Sequence, residues 1–382
     1  MQNPHQPVYF PNLNGVRFIA AFSVLIHHTE QIKYLMGLEN NYGNFFIKNM
    51  GKLGVGLFFV LSGFLITYLL LSEKKRRGDI STKDFYIRRI LRIWPLYFII
   101  VLLGFFVFPV IPIFNEPLRD QYYFDADFFK RLPFFLLFLP NIGFVFFRSP
   151  YLCAQTWSVG IEEQFYAIWP WIVKSKNPLK TFLKLLGGFL AILGIILLYV
   201  FKISDLSEET KFKIQEGLAL FFSQFRILTM MIGGIGAYLI FTKKEKILAI
   251  LFRKDVQIIV YAILMLMLCT GFHVPGFNME FYGFFFCFFI LNVSQNPNSI
   301  IYLEQKIIHY LGKISYGIYI YHPAIIVLCI NSIHYFWGKN INHLTFNLIL
   351  YPTAILLTIV VCEMSFRYIE TPLLKLKDRF NR

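Results

Sequence analysis

Charged residues are scarce in this sequence, because Asp, Glu, Lys and Arg make up only 15% of its 382 residues. A soluble domain has about a quarter. Apolar residues are correspondingly abundant, at 57%, and Phe alone occurs 45 times. A soluble fold cannot bury this much apolar surface, so lipid has to cover part of it. The apolar residues form runs of about 17 to 25, which is the length that a helix needs to cross a bilayer.

Several signatures of other protein classes are missing. The five cysteines show no spacing typical of a metal site. The sequence has no phosphate-binding loop, zinc motif or Ser-His-Asp signature, and no solenoid repeat or Ser/Gly-rich linker. The first thirteen residues lack the cationic flank of a signal peptide, so the first apolar run is expected to remain a span. We expect one integral membrane domain over residues 1–382, without metal or permanently bound cofactor.

The apolar runs predict an all-α fold, a polytopic bundle of about ten transmembrane helices. Within the outer segment 110–156, a Pro-flanked stretch of about 16 residues is too short to cross, so we expect it to be re-entrant or interfacial. The ten predicted spans lie near residues 14–33, 52–72, 85–109, 157–173, 181–201, 217–241, 256–272, 277–293, 307–330 and 344–366.

The net charge of +15 could indicate a nucleic-acid partner, but the positions of the basic residues favour a membrane. With the N-terminus inside, 25 of the 37 Lys and Arg residues fall on the inner side. This asymmetry predicts cytoplasmic N- and C-termini in a bacterial inner membrane, with membrane lipid as the surroundings and no nucleic acid bound.

Arg17 and His28 are the first polar residues inside a predicted span, where contact with lipid would be unfavourable. Eleven helical steps bring them to within about 20° of the same face and separate them by about 16 Å along the axis. Arg17 is then near the inner end, and His28 lies in the outer half. Charged groups inside a span usually mark a functional cavity. A buried histidine can also be a hydrogen-bonded packing residue, and it stays open whether His27, about 100° away, shares the role.

Arginines enter the predicted third span. The segment from Lys74 to Arg92 carries eight cations. The preference for basic residues on the cytoplasmic side of a membrane explains the first of these cations as readily as a function does. Arg88, Arg89 and Arg92 lie within the apolar run, and the last two share a helix face. Guanidinium groups bind phosphates in a bidentate manner. Because coenzyme A carries several phosphates, these arginines could hold it.

Trp157, Ser158 and the adjacent Glu162 and Glu163 lie near the outer end of the fourth predicted span. Neighbouring residues on a helix diverge by about 100°, so only one carboxylate is expected to face a cavity. We favour Glu162, which shares its side with Ser158 and Tyr166. A solvated interfacial acid or a structural hydrogen bond is the alternative.

Polar residues also occur in the last two predicted spans. Ser315, Tyr319 and His322 share one side of the ninth, where a polar stripe can also serve helix packing. In the last span, Arg367 and Glu370 are three residues apart, and we expect a local ion pair.

Taken together, these segments resemble the membrane-bound acyltransferase 3 family, bacterial O-acyltransferases that modify surface glycans. The resemblance extends over nearly the whole chain, with its motifs in the family's order. The motifs are Asn14 to Arg17 with His27-His28, GVGLFFVLSGFLIT at 54–67, FYIRRILRIWPLY at 85–97, WSVGIEEQFY from 157, SYGIYIYHP from 315 and FRYIETP from 366.

The resemblance implies roles for individual residues. The family's Arg-ten-residues-His motif matches Arg17 and His28, with His28 essential for transfer. Its paired inner arginines, associated with acyl-CoA use, match Arg89 and Arg92. Many relatives have Asp where this chain has Asn14, so the role of that carboxylate cannot be carried over.

The family's aromatic, Ser and Glu motif matches Trp157, Ser158 and Glu162. Some relatives append a periplasmic hydrolase-like domain, and its absence from this sequence leads us to expect that the membrane domain completes the reaction alone.

The predicted function is therefore transfer of an acyl group to a hydroxyl of a surface carbohydrate or its lipid-linked precursor. The co-substrate that donates the group is cytoplasmic acyl-CoA, and the resemblance implies that the acyl group is acetyl. Glu162 is expected to orient or charge-stabilise the His28 imidazole, which acts as a base or first accepts the acyl group. A transporter or flippase and a non-catalytic subunit are the alternatives.

The predicted site comprises His28 and Glu162 as catalytic residues, Arg17, Arg88, Arg89 and Arg92 for acyl-CoA, and Trp157, Ser158, Tyr319 and His322 for substrate binding or site organisation.

Overall fold

Helices account for all regular secondary structure in the part of the chain that the computed structural model describes. That part comprises residues 9–114, 127–147, 149–150, 152–203, 206–338 and 341–377, with side chains except at 203, 221–224 and 377. The N-terminal half contains α1 (Leu13–Leu35), α2 (Phe45–Arg77), α3 (Thr82–Leu102), α4 (Phe128–Leu136), α5 (Pro140–Phe146), α6 (Thr156–Lys174) and α7 (Pro178–Leu198). The remainder contains α8 (Glu208–Gln224), α9 (Ile227–Phe241), α10 (Glu245–Leu251), α11 (Lys254–Thr270), α12 (Asn278–Gln295), α13 (Lys306–Lys313), α14 (Ser315–Trp337), α15 (His343–Ser365) and α16 (Thr371–Lys377).

Five helical segments are long and apolar enough to cross a membrane, and a sixth results if α9 and α10, bent by 116°, count as one span. This confirms a helical protein with several membrane-spanning candidates, but it does not support a count of about ten. Other helices at the predicted positions are too short or too polar. The five segments are Phe45–Arg77, Thr82–Val110, Pro178–Lys202, Ser315–Trp337 and His343–Leu376.

Two predicted spans have different boundaries in the structure. The run at 217–241 is divided between α8 and α9, because the chain leaves the helix at Phe225 and Arg226. The run at 307–330 is divided as well, since α13 ends at Lys313 and α14 begins at Ser315. Gly312 in α13 lies against the Asn14 backbone of α1, where any side chain would overlap it, so α13 packs against the N-terminal end of α1.

The stretch expected to be re-entrant forms two short helices, α4 and α5. At about 1.5 Å per residue, neither can cross about 30 Å of hydrocarbon. Between them Phe138 has a positive φ of 58°, and its ring stacks on Tyr97 with the centroids 4.3 Å apart. The Gln164 side-chain amide donates to the Phe138 carbonyl at 3.0 Å, which fixes the tip of this hairpin to α6. The boundaries 110–156 stay a prediction, because residues 115–126, 148 and 151 lie outside the described part.

A buried ion pair within α1, together with its hydrogen bonds to α15, holds the C-terminal end of α1 against α15. Lys33 and Glu30 are 0% and 1% exposed, and Lys33 Nζ lies 2.8 Å from Glu30 Oε1. Lys33 also donates to Asn347 Oδ1 at 2.9 Å, and the Tyr351 hydroxyl donates to Glu30. A charge buried in a low-dielectric interior needs such partners, because removing one of them leaves the other uncompensated. The network therefore fixes the part of α1 that carries His28.

The closest helix approach lies between α2 and α9. A Cβ atom at Gly63 would overlap the Met230 carbonyl, and one at Gly233 would overlap the Val60 carbonyl. Small residues at a membrane helix interface allow this backbone contact, which packs α9 against the middle of α2.

We expect Gly63→Ala to destabilise the protein, because the new methyl group forces α2 and α9 apart. Gly187→Ala is the matched control, since a Cβ at Gly187 in α7 meets nothing within 4 Å. Alanine also favours a helix by about 1 kcal/mol over glycine, so the control should be neutral or stabilised. Thermal unfolding of the purified proteins in detergent measures both, and equal midpoints would contradict the packing described.

Candidate functional site

A pair of histidines joins α1 to α14 inside the bundle. His28 Nδ1 lies 2.6 Å from His322 Nε2, and the two ring planes are only 9° apart. His322 is fully buried, whereas His28 is partly exposed. The shared helix face of His28 and Arg17 thus meets the Tyr319 and His322 face of α14.

The partners of His322 define the proton positions in this pair. His322 Nδ1 lies 2.9 Å from the Ile318 carbonyl, which can only accept a hydrogen bond. Nδ1 therefore carries the proton, and in the neutral ring Nε2 is an acceptor. His28 Nδ1 must donate to it, which leaves the lone pair of His28 on Nε2. His322 thus sets the tautomer that makes His28 Nε2 a base or nucleophile.

Ser158 and Tyr319 form the wall beside this pair. Ser158 Oγ lies 2.7 Å from the Tyr319 hydroxyl, which donates to the Gln155 carbonyl at 3.0 Å. The Gln155 side chain in turn donates to the Ile320 carbonyl at 2.7 Å, so the start of α6 is attached to α14. The Tyr319 ring centroid is 6.1 Å from that of His322. Trp157 packs edge-on against the Phe59 ring.

Glu162 accepts hydrogen bonds from Ser62 at 2.7 Å and from Tyr166 at 3.3 Å. Among the described residues, His322 is the group that hydrogen-bonds to the His28 ring, and Glu162 does not. Stabilisation of charge on the imidazole by Glu162 stays a prediction. Ser62 is not among the site residues predicted from the sequence. Its polar contact with α6, 100 residues away, carries no local sequence signal.

Three arginines lie around Glu162. The charges of Arg89 and Arg92 act on Arg17 and on Glu162, so these groups lie within electrostatic reach of one another. Arg89 is almost fully buried beside the Phe85 ring, and its Nε has no hydrogen-bond partner. Arg92 makes no hydrogen bond or ion pair with any residue in the described ranges. Arg17 donates to Asn14 Oδ1 at 2.7 Å.

Arg88 is placed differently from the other three. Its Nη2 lies 2.9 Å from Glu73 Oε2, and both side chains are largely buried. Glu73 also accepts from Arg77 and from the Ser81 backbone N–H, so it ties the end of α2 to the start of α3. The Arg88 charge is already compensated by this ion pair, which gives Arg88 a structural role in addition to the phosphate contact predicted for it.

Two further carboxylates reach the arginine cluster that were not among the predicted site residues. Glu163 accepts from the Trp94 indole N–H at 2.9 Å, and its other oxygen is buried without a hydrogen bond. Glu370 also has one buried unbonded oxygen, and the Arg92 charge acts on it. The prediction of a local ion pair between Arg367 and Glu370 was wrong. Residues Phe366–Glu370 form a π-helical turn instead, in which Arg367 stacks on the ring of its neighbour Tyr368.

Three buried side-chain atoms without a hydrogen bond lie in this region of the bundle, at Arg89 Nε, Glu163 Oε1 and Glu370 Oε1. Other such atoms in the described part of the chain, for example at Tyr261 and Thr358, lie outside it. Each such atom costs about 1–3 kcal/mol if nothing pairs with it. A ligand or ordered water is the usual partner for such groups. With three guanidinium groups nearby, the region suits an anionic ligand.

The fold and the site define a helical membrane protein whose interior combines a histidine pair with an arginine cluster. The chain belongs to the acyltransferase 3 family, whose family model, described as an acyltransferase domain, matches residues 10–364.

Relatives with assigned activities support this membership. The chain is similar to the O-acetyltransferase OatA of Staphylococcus aureus, with 30% identity over 98% of this chain and 59% of that protein. It is also similar to the peptidoglycan O-acetyltransferase OatA of Listeria monocytogenes, with 28% identity over 96% of this chain and 56% of that protein. The chain thus spans less than two thirds of both relatives. No solved structure shows a significant match.

Proposed function

We propose that the chain is an O-acyltransferase in which His28 Nε2 activates the acceptor hydroxyl. The observation that carries this proposal is the hydrogen bond from His28 Nδ1 to His322 Nε2, because it leaves the lone pair of His28, a partly exposed residue, on Nε2. A neutral imidazole held in one tautomer is suited to general base catalysis near neutral pH.

The donor in this proposal is an acyl-CoA, with acetyl as the acyl group. Arg89 and Arg92 bind its phosphates, and the Arg89 Nε without a partner and the unpaired guanidinium of Arg92 support this assignment. Arg17 extends the same positive region along α1 towards His28. Glu162 compensates part of the positive charge of the arginine cluster, which lowers the cost of burying it.

The reaction is a direct acyl transfer. The acceptor oxygen attacks the thioester carbonyl while its proton passes to His28 Nε2. The carbon–sulfur bond breaks, and the CoA thiolate takes that proton as it leaves. His28 keeps its Nδ1–H bond to His322 throughout, so the imidazolium formed in the middle of the reaction stays oriented. In the alternative route, Nε2 attacks the thioester first and the acyl group passes from the imidazole to the hydroxyl.

The proposed acceptor is a hydroxyl of a cell-wall glycan or its lipid-linked precursor. Its support is the similarity to relatives named as O-acetyltransferases, one of them of peptidoglycan. The proposal places the arginine cluster towards the cytoplasm, with both termini inside and the protein in the bacterial inner membrane. It also includes the ten-span arrangement, in which helices such as α1 cross with their polar residues turned inward.

Replacing His28 with Ala should lower kcat for acyl transfer by about 10²–10⁴, the usual contribution of a general base. His322→Leu should give a smaller loss, on the order of 10- to 100-fold, because His28 keeps Nε2 but loses the group that sets its tautomer. His322→Gln retains an acceptor oxygen and should recover part of that loss. CoA release from acetyl-CoA by purified protein with an oligosaccharide acceptor measures each rate.

Thermal midpoints of these variants provide the folding control. Unchanged transfer by a folded His28→Ala protein would remove His28 from the mechanism. Acceptor movement across vesicles without any CoA release would instead support the flippase alternative.

Replacing Arg89 and Arg92 together with Gln should raise KM for acetyl-CoA by about tenfold or more, because each lost charged hydrogen bond costs about 1.5–3 kcal/mol. Arg253→Gln is the matched control, since Arg253 is an exposed arginine already paired with Asp255. It should leave KM unchanged. A double variant with the same KM as the control would place the donor site elsewhere.

A further inference from the structure

A chain of side-chain hydrogen bonds connects Arg17 to the inner surface of the protein. Arg17 Nη1 donates to Asn14 Oδ1 at 2.7 Å, and Asn14 Nδ2 lies 3.2 Å from His309 Nε2. His309 Nδ1 lies 2.5 Å from Glu304 Oε1. Asn14 and Arg17 belong to α1, His309 belongs to α13, and Glu304 precedes α13. None of these contacts could be read from residue spacing, because nearly 300 residues separate Asn14 from His309.

The two ends of the chain determine the direction of every bond between them. Arg17 has only donors, so Asn14 must present its amide oxygen to it. The Asn14 amide nitrogen then faces His309, whose Nε2 has to accept. The proton of neutral His309 is therefore on Nδ1 and is donated to Glu304, which as a carboxylate only accepts. A single orientation of the Asn14 amide satisfies all four groups.

Glu304 is a fixed end point for this chain. The Tyr9 hydroxyl and the Asn12 backbone N–H both donate to it. Burial alone would raise the pKa of Glu304, but these bonds and the one from His309 hold that pKa below its ordinary value. Glu304 is therefore ionised at neutral pH. The backbone contact between Gly312 and Asn14 keeps α13 seated on α1.

Arg17 needs such a restraint because two neighbouring guanidinium groups repel it while Glu162 attracts it. The Arg89 and Arg92 charges both act on Arg17. In a largely buried site, like charges repel more strongly than they do in water. If the Asn14 amide turned over, its NH₂ group would face the Arg17 guanidinium, donor against donor, and this bond to Arg17 would be lost.

We infer that His309, braced by Glu304, is a positioning residue that holds the Asn14 amide in the orientation that keeps Arg17 in the arginine cluster. The inference rests on the proposed function only in giving Arg17 a part in binding the donor. His309 itself does not touch the reacting groups. Its effect on catalysis passes through two other side chains.

The first test measures the position of Arg17 without any reaction. Phenylglyoxal modifies accessible arginines, and peptide mass spectrometry follows the rate at Arg17, with exposed Arg253 as internal reference. His309→Leu should raise the Arg17 rate several-fold relative to Arg253, whereas His309→Gln, which keeps an acceptor for Asn14, should stay near the wild-type rate. Tyr310→Phe is the matched control, since Tyr310 is on the same helix but donates to Glu363.

The second test makes the orientation of residue 14 irrelevant. Asn14→Asp offers an oxygen to Arg17 whichever way the side chain turns. The increase in labelling caused by His309→Leu should therefore disappear in the Asn14→Asp background. An equal increase in both backgrounds, or no increase in either, would overturn the inference.

The third measurement connects position to donor binding. His309→Leu should raise KM for acetyl-CoA by about tenfold with a smaller change in kcat, and the increase should shrink in the Asn14→Asp background. If wild-type protein releases no CoA from acetyl-CoA, the proposed function fails, while the labelling results still decide the role of His309. If labelling responds but KM does not, Arg17 is positioned by His309 without contributing to donor binding, and the catalytic part of the inference is overturned.

Discussion

The structure depends on the pairing of polar side chains that would otherwise be unsolvated among apolar helices. Helix α1 shows this most clearly, because three of its polar residues are linked to three different neighbouring helices. Arg17 bonds to Asn14, which is held from α13, His28 bonds to α14, and Lys33 bonds to α15. These bonds determine both the depth and the rotation of α1. The nitrogen proposed as the base is thereby positioned by structural interactions at both ends of its own helix.

The pairing is incomplete at several buried atoms, and three of them lie in the proposed donor site. Arg89, Glu163 and Glu370 each retain a buried atom without a hydrogen bond. Fully hydrogen-bonded networks such as that of Glu30 and Lys33 stabilise the bundle. Unbonded atoms of neighbouring cationic and anionic side chains can instead form hydrogen bonds with a ligand, which favours its binding. An anionic donor bound there would stabilise the folded protein as well as react. The hairpin of α4 and α5 closes one side of this region through Phe138, which packs on Trp94, the indole that bonds to Glu163.

Sequence reasoning succeeded where one helix suffices to decide and failed where two are needed. Helical periodicity places Arg17 with His28, and Tyr319 with His322, on shared faces, and the structure turns those two faces towards each other. The same reasoning did not identify the hydrogen bond between His28 and His322. It also paired Arg367 with Glu370, although a π-helical turn separates them in the structure. Arg88 was grouped with Arg89 by proximity in the chain, but a carboxylate from α2 pairs with it.

The amino-acid sequence by itself determined the helical class, the family, the face on which each polar residue lies and the sign of the charge at each end of the predicted spans. These properties follow from composition and the 3.6-residue period, which are local. Only the tertiary structure decided which helices meet, and with that the tautomer of His28, the partner of Arg17 and the location of the unbonded atoms. Such contacts join residues about 100 to 300 positions apart, and no local rule specifies them.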